Sequence, residues 1–259
     1  MQMDRPRIGL IGFGAFGRLA GACLASHVPT LVHDPAVPGI EIESVGASPA
    51  SLEDAAACDV CIMAVPVQAI ERVCLQIAPL VRPGTLIVDV ASIKIGPTET
   101  MRRLLPPHND ILGTHPLFGP QTVAEVGLRG QTIALCPVRI DRERLKAVCA
   151  FLGGALGLRV VETTPEEHDR QMALVQGITH LIGHAARAMS LPELPLATLA
   201  YQRLLQMKHN VERDSAELFD AIQTLNPYAA EARRRFVDAV CRTDEQIRRK
   251  ARGPGNACS

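Results

Sequence analysis

Three stretches of this 259-residue chain combine reactive residue types with spacings that would let them act together. The first is Gly12-Phe13-Gly14-Ala15-Phe16-Gly17, a G-x-G-x-x-G pattern. Its first glycine permits a tight turn, its second lets backbone approach a pyrophosphate, and its third lets a helix pack on a sheet. Asp34 lies 22 residues after Gly12. An acid there accepts hydrogen bonds from ribose hydroxyls and repels a 2′-phosphate, and His33, Pro35 and Ala36 supply no arginine to reverse that preference. NAD is therefore favoured over NADP. The second stretch is Thr114-His115-Pro116, where a histidine followed by proline is suited to proton chemistry beside a nicotinamide. The third is Gln176, His180 and His184, which recur every fourth residue and share one stripe of a helix.

The flanking pattern must position these groups. Apolar runs at 7–12, 30–34, 59–65, 86–90, 111–113, 131–135 and 158–161 read as strands. Helical patterns to about Ser26, from Val67 to Leu80 and from Asp141 to Leu156 alternate with them. This predicts an α/β fold, a Rossmann-type, doubly wound parallel sheet, over residues 1–164. Ligands of such sheets bind beyond the carboxyl ends of the strands. Val65-Pro66, Asp89-Val90-Ala91-Ser92-Ile93-Lys94 and Thr114 to Pro120 all leave such ends. The pattern changes at Thr164-Pro165-Glu166-Glu167, a capping signature that starts a long helix. Met172, Val175, Thr179, Ile182, Ala186 and Met189 predict its apolar face, with the Gln176–His180–His184 stripe turned elsewhere. Two further helices are expected, opening at Asp214-Ser215-Ala216-Glu217 and at Asn226-Pro227. Residues 165–259 thus form an all-helical domain whose last ten or so residues fray.

Composition narrows the function classes. The 27 basic and 27 acidic side chains cancel, leaving no field to steer nucleic acid or a charged membrane surface. No apolar run reaches the roughly 18–20 residues of a membrane span. The opening Met1-Gln2-Met3-Asp4-Arg5-Pro6 lacks the layout of a signal peptide. Eight cysteines scattered through apolar stretches read as reduced, mostly buried thiols of a cytoplasmic protein. Cys58-x-x-Cys61 opens an apolar strand, where positions three apart face opposite sides, so it does not read as a redox or metal pair. His180 and His184 lack the intervening Glu of a zinc helix and any evident third ligand, so no metal is expected.

The chain resembles the prephenate and arogenate dehydrogenases of tyrosine biosynthesis, and most of all their plant-type arogenate branch. The resemblance spans about residues 7–240. It rests on the glycine loop, on D-x-x-S-x-K at Asp89 to Lys94, and on T-H-P-x-F-G-P at Thr114 to Pro120. Downstream it rests on Glu167-His168-Asp169, on Gln176 with His180, and on the Asp214 to Phe219 stretch. The family oxidises and decarboxylates a cyclohexadienol, passing hydride to NAD or NADP while the ring becomes aromatic. The resemblance implies that His115 withdraws the hydroxyl proton, with Ser92 holding the same hydroxyl or His115. It implies cofactor contacts at Gly12, Phe13, Gly14, Ala15, Phe16, Gly17, Asp34, Val65, Pro66 and Ala91. Substrate contacts are implied at Ser92, Thr114, His115, Gln121, Gln176, His180 and Asp214, together with a homodimer through the C-terminal helices.

Asp214 reads two ways, as a carboxylate recognising the ammonium of arogenate or as a helix cap completed by Glu217. Many prephenate-specific relatives carry an arginine shortly before the corresponding acid, whereas this chain has Lys208-His209-Asn210, with Arg187, Arg203 and Arg213 as other cations. Two other readings compete. A β-hydroxyacid or imine reductase would share the two-domain layout, but 166–189 contains no lysine to serve as the hydroxyacid enzymes' catalytic residue. A non-catalytic dinucleotide sensor would keep the glycines without needing Ser92 and His115 together.

Overall fold

The computed structural model describes residues 6–252. In chain order its elements begin β1 (Ile8–Ile11), α1 (Ala15–Ala25), β2 (Thr30–His33), α2 (Gly39–Glu43), β3 (Ser48–Pro49) and α3 (Leu52–Ala56). They continue β4 (Val60–Met63), α4 (Ile70–Ile77), β5 (Leu86–Asp89), α5 (Ile95–Leu104), β6 (Asp110–Pro116) and α6 (Pro120–Val126). Then come β7 (Thr132–Arg139), α7 (Arg142–Ala150), β8 (Arg159–Glu162), α8 (Pro165–Ala188), α9 (Leu199–Arg213), α10 (Ala216–Asp220) and α11 (Ala229–Arg252). The chain divides into two units, Met1–His168 and Asp169–Ser259, with the boundary inside the first turns of α8. The expectation about a leader falls mostly on residues 1–5, outside the described residues. Of the tail expected to fray, residues 250–252 still belong to α11 and the rest, with Cys258, lie outside them.

The first unit is built on an eight-stranded sheet in the order β3-β2-β1-β4-β5-β6-β7-β8. β1 and β5 are buried at every position, as expected of strands covered on both faces. One core layer packs β4 and β5 against α3, α4 and α5. There Ile70, Val73, Cys74 and Ile77 of α4 recur at helical spacing toward the sheet. Burying each such aliphatic side chain contributes about 1.5–3 kcal/mol. On other surfaces of the sheet, Leu10, Phe13, Val32 and Ile42 form a second cluster, and Leu86, Leu112, Leu135, Leu145 and Leu158 a third.

The mostly parallel sheet bears out the expected Rossmann-type fold, with two local departures. The sheet is not wholly parallel, because β6 and β7 run antiparallel. The chain returns through the short α6, which Gly127 ends at φ +80°, rather than through a full crossover. The run at 111–113 is also longer than its apolarity suggests. β6 leaves β5 where Asp89 faces Gly113, and β7 carries the pairing on, with His115 opposite Ala134 and Pro116 opposite Ile133. Thr114, His115 and Pro116 are therefore strand residues projecting past the end of β5. Gly113 sits close to α5, where an added Cβ would lie 2.8 Å from the Thr98 methyl.

Among the described residues of the second unit, three α-helices follow α8 rather than two. The addition is α9, whose signal is the cap Thr198 accepting from the Tyr201 N–H at 3.3 Å. The packed face of α8 also differs from the expected stripe. Val175 and Met189 are exposed, while Met172, Ala173, Gly177, Gly183 and Ala186 are buried. These residues surround Gln176, His180 and His184, so the polar stripe lies in the packed face. Small residues let helices approach closely and carry little hydrophobic signal. At Gly183 an added Cβ would lie 2.6 Å from the Met207 carbonyl oxygen of α9.

Candidate functional site

The glycine loop is locked to the end of β2. Gly12, at φ +98°, donates its N–H to the His33 carbonyl at 2.9 Å. The Phe13 N–H donates to Asp34 Oδ2 at 2.7 Å, and the Ala36 N–H to Asp34 Oδ1 at 2.9 Å. Cβ atoms at Gly12 and Gly17 would collide with the backbone carbonyls of Ala64 and Gly12 respectively. A Cβ at Gly14 would meet nothing within 4 Å. α1 starts at Ala15 with no side-chain cap, so its first-turn N–H groups point toward the open side of Gly14. This cradle fits a pyrophosphate. Ala15 and Phe16 form the first turn of α1, and Phe16 faces Phe118 at 6.4 Å between ring centroids. The Phe13 ring instead lies in the core, with the Arg18 guanidinium over it at 5.0 Å. Half-buried Val65 and exposed Pro66 follow β4, and buried Ala91 follows β5.

Beyond β5 lies a buried polar cluster. Asp89 and Lys94 form an ion pair with neither side chain exposed. Lys94 Nζ also donates to the Thr114 carbonyl at 2.6 Å, and Thr114 Oγ1 donates to the Asp89 carbonyl at 2.7 Å. The Ala91 N–H reaches Asp89 Oδ1 at 3.0 Å. Burial pushes the Asp89 carboxyl above its ordinary range, with the Lys94 ammonium opposing the shift. His115 is 3% exposed, and its Nδ1 lies 2.9 Å from Nε2 of His168, itself 2% exposed. Burial above all, with smaller contributions from neighbouring His168 and Lys94, holds the His115 imidazole well below its usual pKa. It is therefore neutral near pH 7. Ser92 is half-buried between Ala91 and Ile93. Gln121 sits in the first turn of α6. The structure thus groups Ala91, Ser92, Thr114 and His115 at the ends of β5 and β6.

Asp89, Lys94 and His168 entered the sequence reading only as parts of motifs. Asp89, closing a fully buried strand, signals the need for a buried partner without naming Lys94. No local signal joined His168 to a residue 53 positions earlier.

In the second unit, His180 Nδ1 lies 3.7 Å from Asp214 Oδ2. Burial lowers the His180 pKa against the attraction of Asp214, and burial raises that of Asp214 against the attraction of His180. The His184 ring stacks on Phe219 with 3.8 Å between centroids. The capping reading of Asp214 is overturned. Asp214 ends α9, and the cap of α10 is Ser215, whose Oγ accepts from the Leu218 N–H at 3.2 Å. Lys208 is engaged by the Leu191 carbonyl at 3.0 Å, while Arg187, Arg203 and Arg213 are exposed. Among the described residues no group of three His, Cys, Asp or Glu side chains is arranged to hold a metal, and the cysteines are unpaired. No helix there is long and apolar enough to cross a membrane.

A mostly parallel sheet with an uncapped glycine-loop helix and a buried histidine near the carboxyl end of β6 defines a Rossmann-type dinucleotide-binding protein. Residues 35–162 match the family described as prephenate dehydrogenase, nucleotide-binding domain, and residues 185–256 match a TYRAAT1-like C-terminal domain. The chain belongs to the prephenate/arogenate dehydrogenase family. It is 34% identical to arogenate dehydrogenase 1, chloroplastic, of Arabidopsis thaliana over 243 residues, covering 90% of this chain and 38% of that protein. It is 31% identical to a probable arogenate/prephenate dehydrogenase of Methanocaldococcus jannaschii, covering 78% of this chain and 46% of that protein. The chain thus spans less than half the length of these two relatives. Its fold is similar to that of the A. aeolicus prephenate dehydrogenase solved with hydroxyphenyl propionate and NAD+. The TM-score is 0.74 at 17% identity, over 98% of this chain and 94% of that one.

Proposed function

We propose that this chain is an NAD(P)-dependent oxidoreductase that oxidatively decarboxylates prephenate, arogenate or both, giving 4-hydroxyphenylpyruvate or tyrosine. The observation that carries the reading is neutral, buried His115 at the strand end, in the unit that bears the dinucleotide cradle. Bound NAD(P) supplies the hydride acceptor. Asp34 at the end of β2 favours NAD.

His115 accepts a hydrogen bond from the substrate hydroxyl and takes its proton as hydride leaves the carbinol carbon. The ring carboxylate departs as carbon dioxide, its bonding electrons complete the aromatic ring, and the proton returns to the phenolic oxygen. A base that stays neutral near pH 7 suits this step, and such catalysis contributes roughly 10²–10⁴ in rate. Ser92 holds the same hydroxyl or the imidazole, while Thr114 and Gln121 border the site. Gln176 and His180 of α8 bind substrate. Asp214, which lies beside His180 and does not cap α10, recognises a cation, which favours the ammonium of arogenate.

Residues 1–164 act as the dinucleotide-binding domain and 165–259 as the substrate-binding and dimerisation domain. Leu174, Val175, Leu196, Val237, Val240 and Ile247 are exposed apolar residues of the helical unit, and a second copy covers part of them. Light scattering at twice the chain mass supports this dimer, and monomer mass overturns it. The scattered free thiols fit the cytoplasm, which cell fractionation tests.

The deciding experiment follows nicotinamide reduction with prephenate and with arogenate, each with NAD and with NADP. Turnover of either substrate, lost in His115→Asn, supports the proposal. Tight dinucleotide binding without turnover of any pair overturns it.

A further inference from the structure

His115 and His168 are 53 residues apart, both are buried, and their rings meet with 5.1 Å between centroids at an interplanar angle of 65°. A hydrogen bond between two imidazole nitrogens needs one N–H and one lone pair. Either His115 Nδ1–H donates to His168, or His168 Nε2–H donates to His115. The first arrangement puts the lone pair of neutral His115 on Nε2. The second puts its proton there, making His115 a donor unable to take a proton.

We propose that His168 is a positioning residue that accepts the Nδ1–H of His115 and thereby fixes His115 in the tautomer whose Nε2 is basic. The inference rests on the proton-accepting role assigned to His115 above. The fold holds His168 where this requires. Thr164 Oγ1 accepts from the Glu167 N–H at 3.1 Å, and the Thr164 carbonyl accepts from the His168 N–H at 2.9 Å. His168 therefore rides on the anchored first turns of α8. From the other side, His115 is fixed in β6 by its pairing with Ala134. A ring locked in one tautomer spends none of its time as the unreactive isomer.

The test uses the whole chain labelled with ¹⁵N-histidine, the His115 signals being assigned by their loss in His115→Asn. The expected result in the wild type is a protonated Nδ1 and an unprotonated Nε2 on His115. His168→Gln, whose side-chain oxygen still accepts, keeps that tautomer and most of kcat. His168→Leu mixes the tautomers and lowers kcat at least about tenfold, with KM and NAD affinity little changed. A wild-type His115 protonated on Nε2 overturns the proposal, and so does a folded His168→Leu variant with wild-type tautomer and kcat. If neither cyclohexadienol turns over, the functional reading fails while the tautomer measurement still decides the role of His168. If the leucine variant does not fold, the wild-type spectrum and the glutamine variant decide it.

Discussion

Lys94 Nζ meets the carboxylate of Asp89 with neither side chain exposed, and it also donates to the Thr114 carbonyl at 2.6 Å. The pair ties the end of β5 to the extension of β6. Removing one partner leaves a buried charge without compensation, which typically costs about 3–5 kcal/mol. Lys94→Met is expected to lose stability on that scale in urea unfolding. Asp89→Leu combined with Lys94→Met should recover part of the loss, and a double variant no more stable than the single would count against a paired origin.

Depression of the His115 pKa has a defined sign. Burial, His168 and Lys94 hold it below 6.5, so the unfolded chain binds a proton that the folded chain refuses. The stabilising contribution is complete above pH 6.5 and is lost progressively as pH falls from there toward the folded-state value. Unfolding free energy should therefore fall more steeply below pH 6.5 in the wild type than in His115→Asn. Parallel curves would remove His115 as the source. For the same reason kcat/KM should show no loss of a base near pH 6.5 and should decline only at more acid pH.

Two of the loop glycines should separate by experiment. Gly17→Ala drives a methyl into the Gly12 carbonyl and should cost about 1–3 kcal/mol of stability. Gly14→Ala meets open space at an ordinary backbone conformation and should leave the melting temperature unchanged. It should still weaken NAD binding by tenfold or more, because the methyl occupies the phosphate approach. Equal losses of stability would refute the division.

Asp34 has two tasks that a single substitution exposes together. Asp34→Ala removes the acceptor of the Phe13 N–H, costing about 1–3 kcal/mol where that group stays buried. It should also move the preference from NAD toward NADP, read from kcat/KM with each. Unchanged selectivity would confine Asp34 to holding the loop.

Asp214 and Ser215 are neighbours with separate expected effects. Ser215→Ala should cost about 1 kcal/mol through the lost cap and leave substrate choice alone. Asp214→Asn should shift kcat/KM from arogenate toward prephenate, and an unaltered ratio would leave the carboxylate only its contact with His180.

The glycine turn, Asp34, the buried runs of β1 and β5 and the start of α8 were legible in the sequence because each depends on local chemistry. A tight turn needs glycine, a doubly covered strand needs an apolar run, and a helix start needs a cap followed by proline and glutamate. The Thr114-His115-Pro116 signal was local too, but its setting was not. Only pairing with β7 makes these three residues strand rather than loop, and antiparallel pairing leaves no mark in the sequence of β6 itself. The packed face of α8 escaped detection because Ala173, Gly177 and Gly183 contribute close approach rather than hydrophobic weight. Tertiary structure alone decided that His168 meets His115, that Lys94 meets Asp89 across a turn, and that Ser215 rather than Asp214 caps α10. In the first two, side chains become partners when burial removes the water that would otherwise satisfy them. In the third, the path of the chain leaving α9 selects which of two capable residues reaches the free N–H.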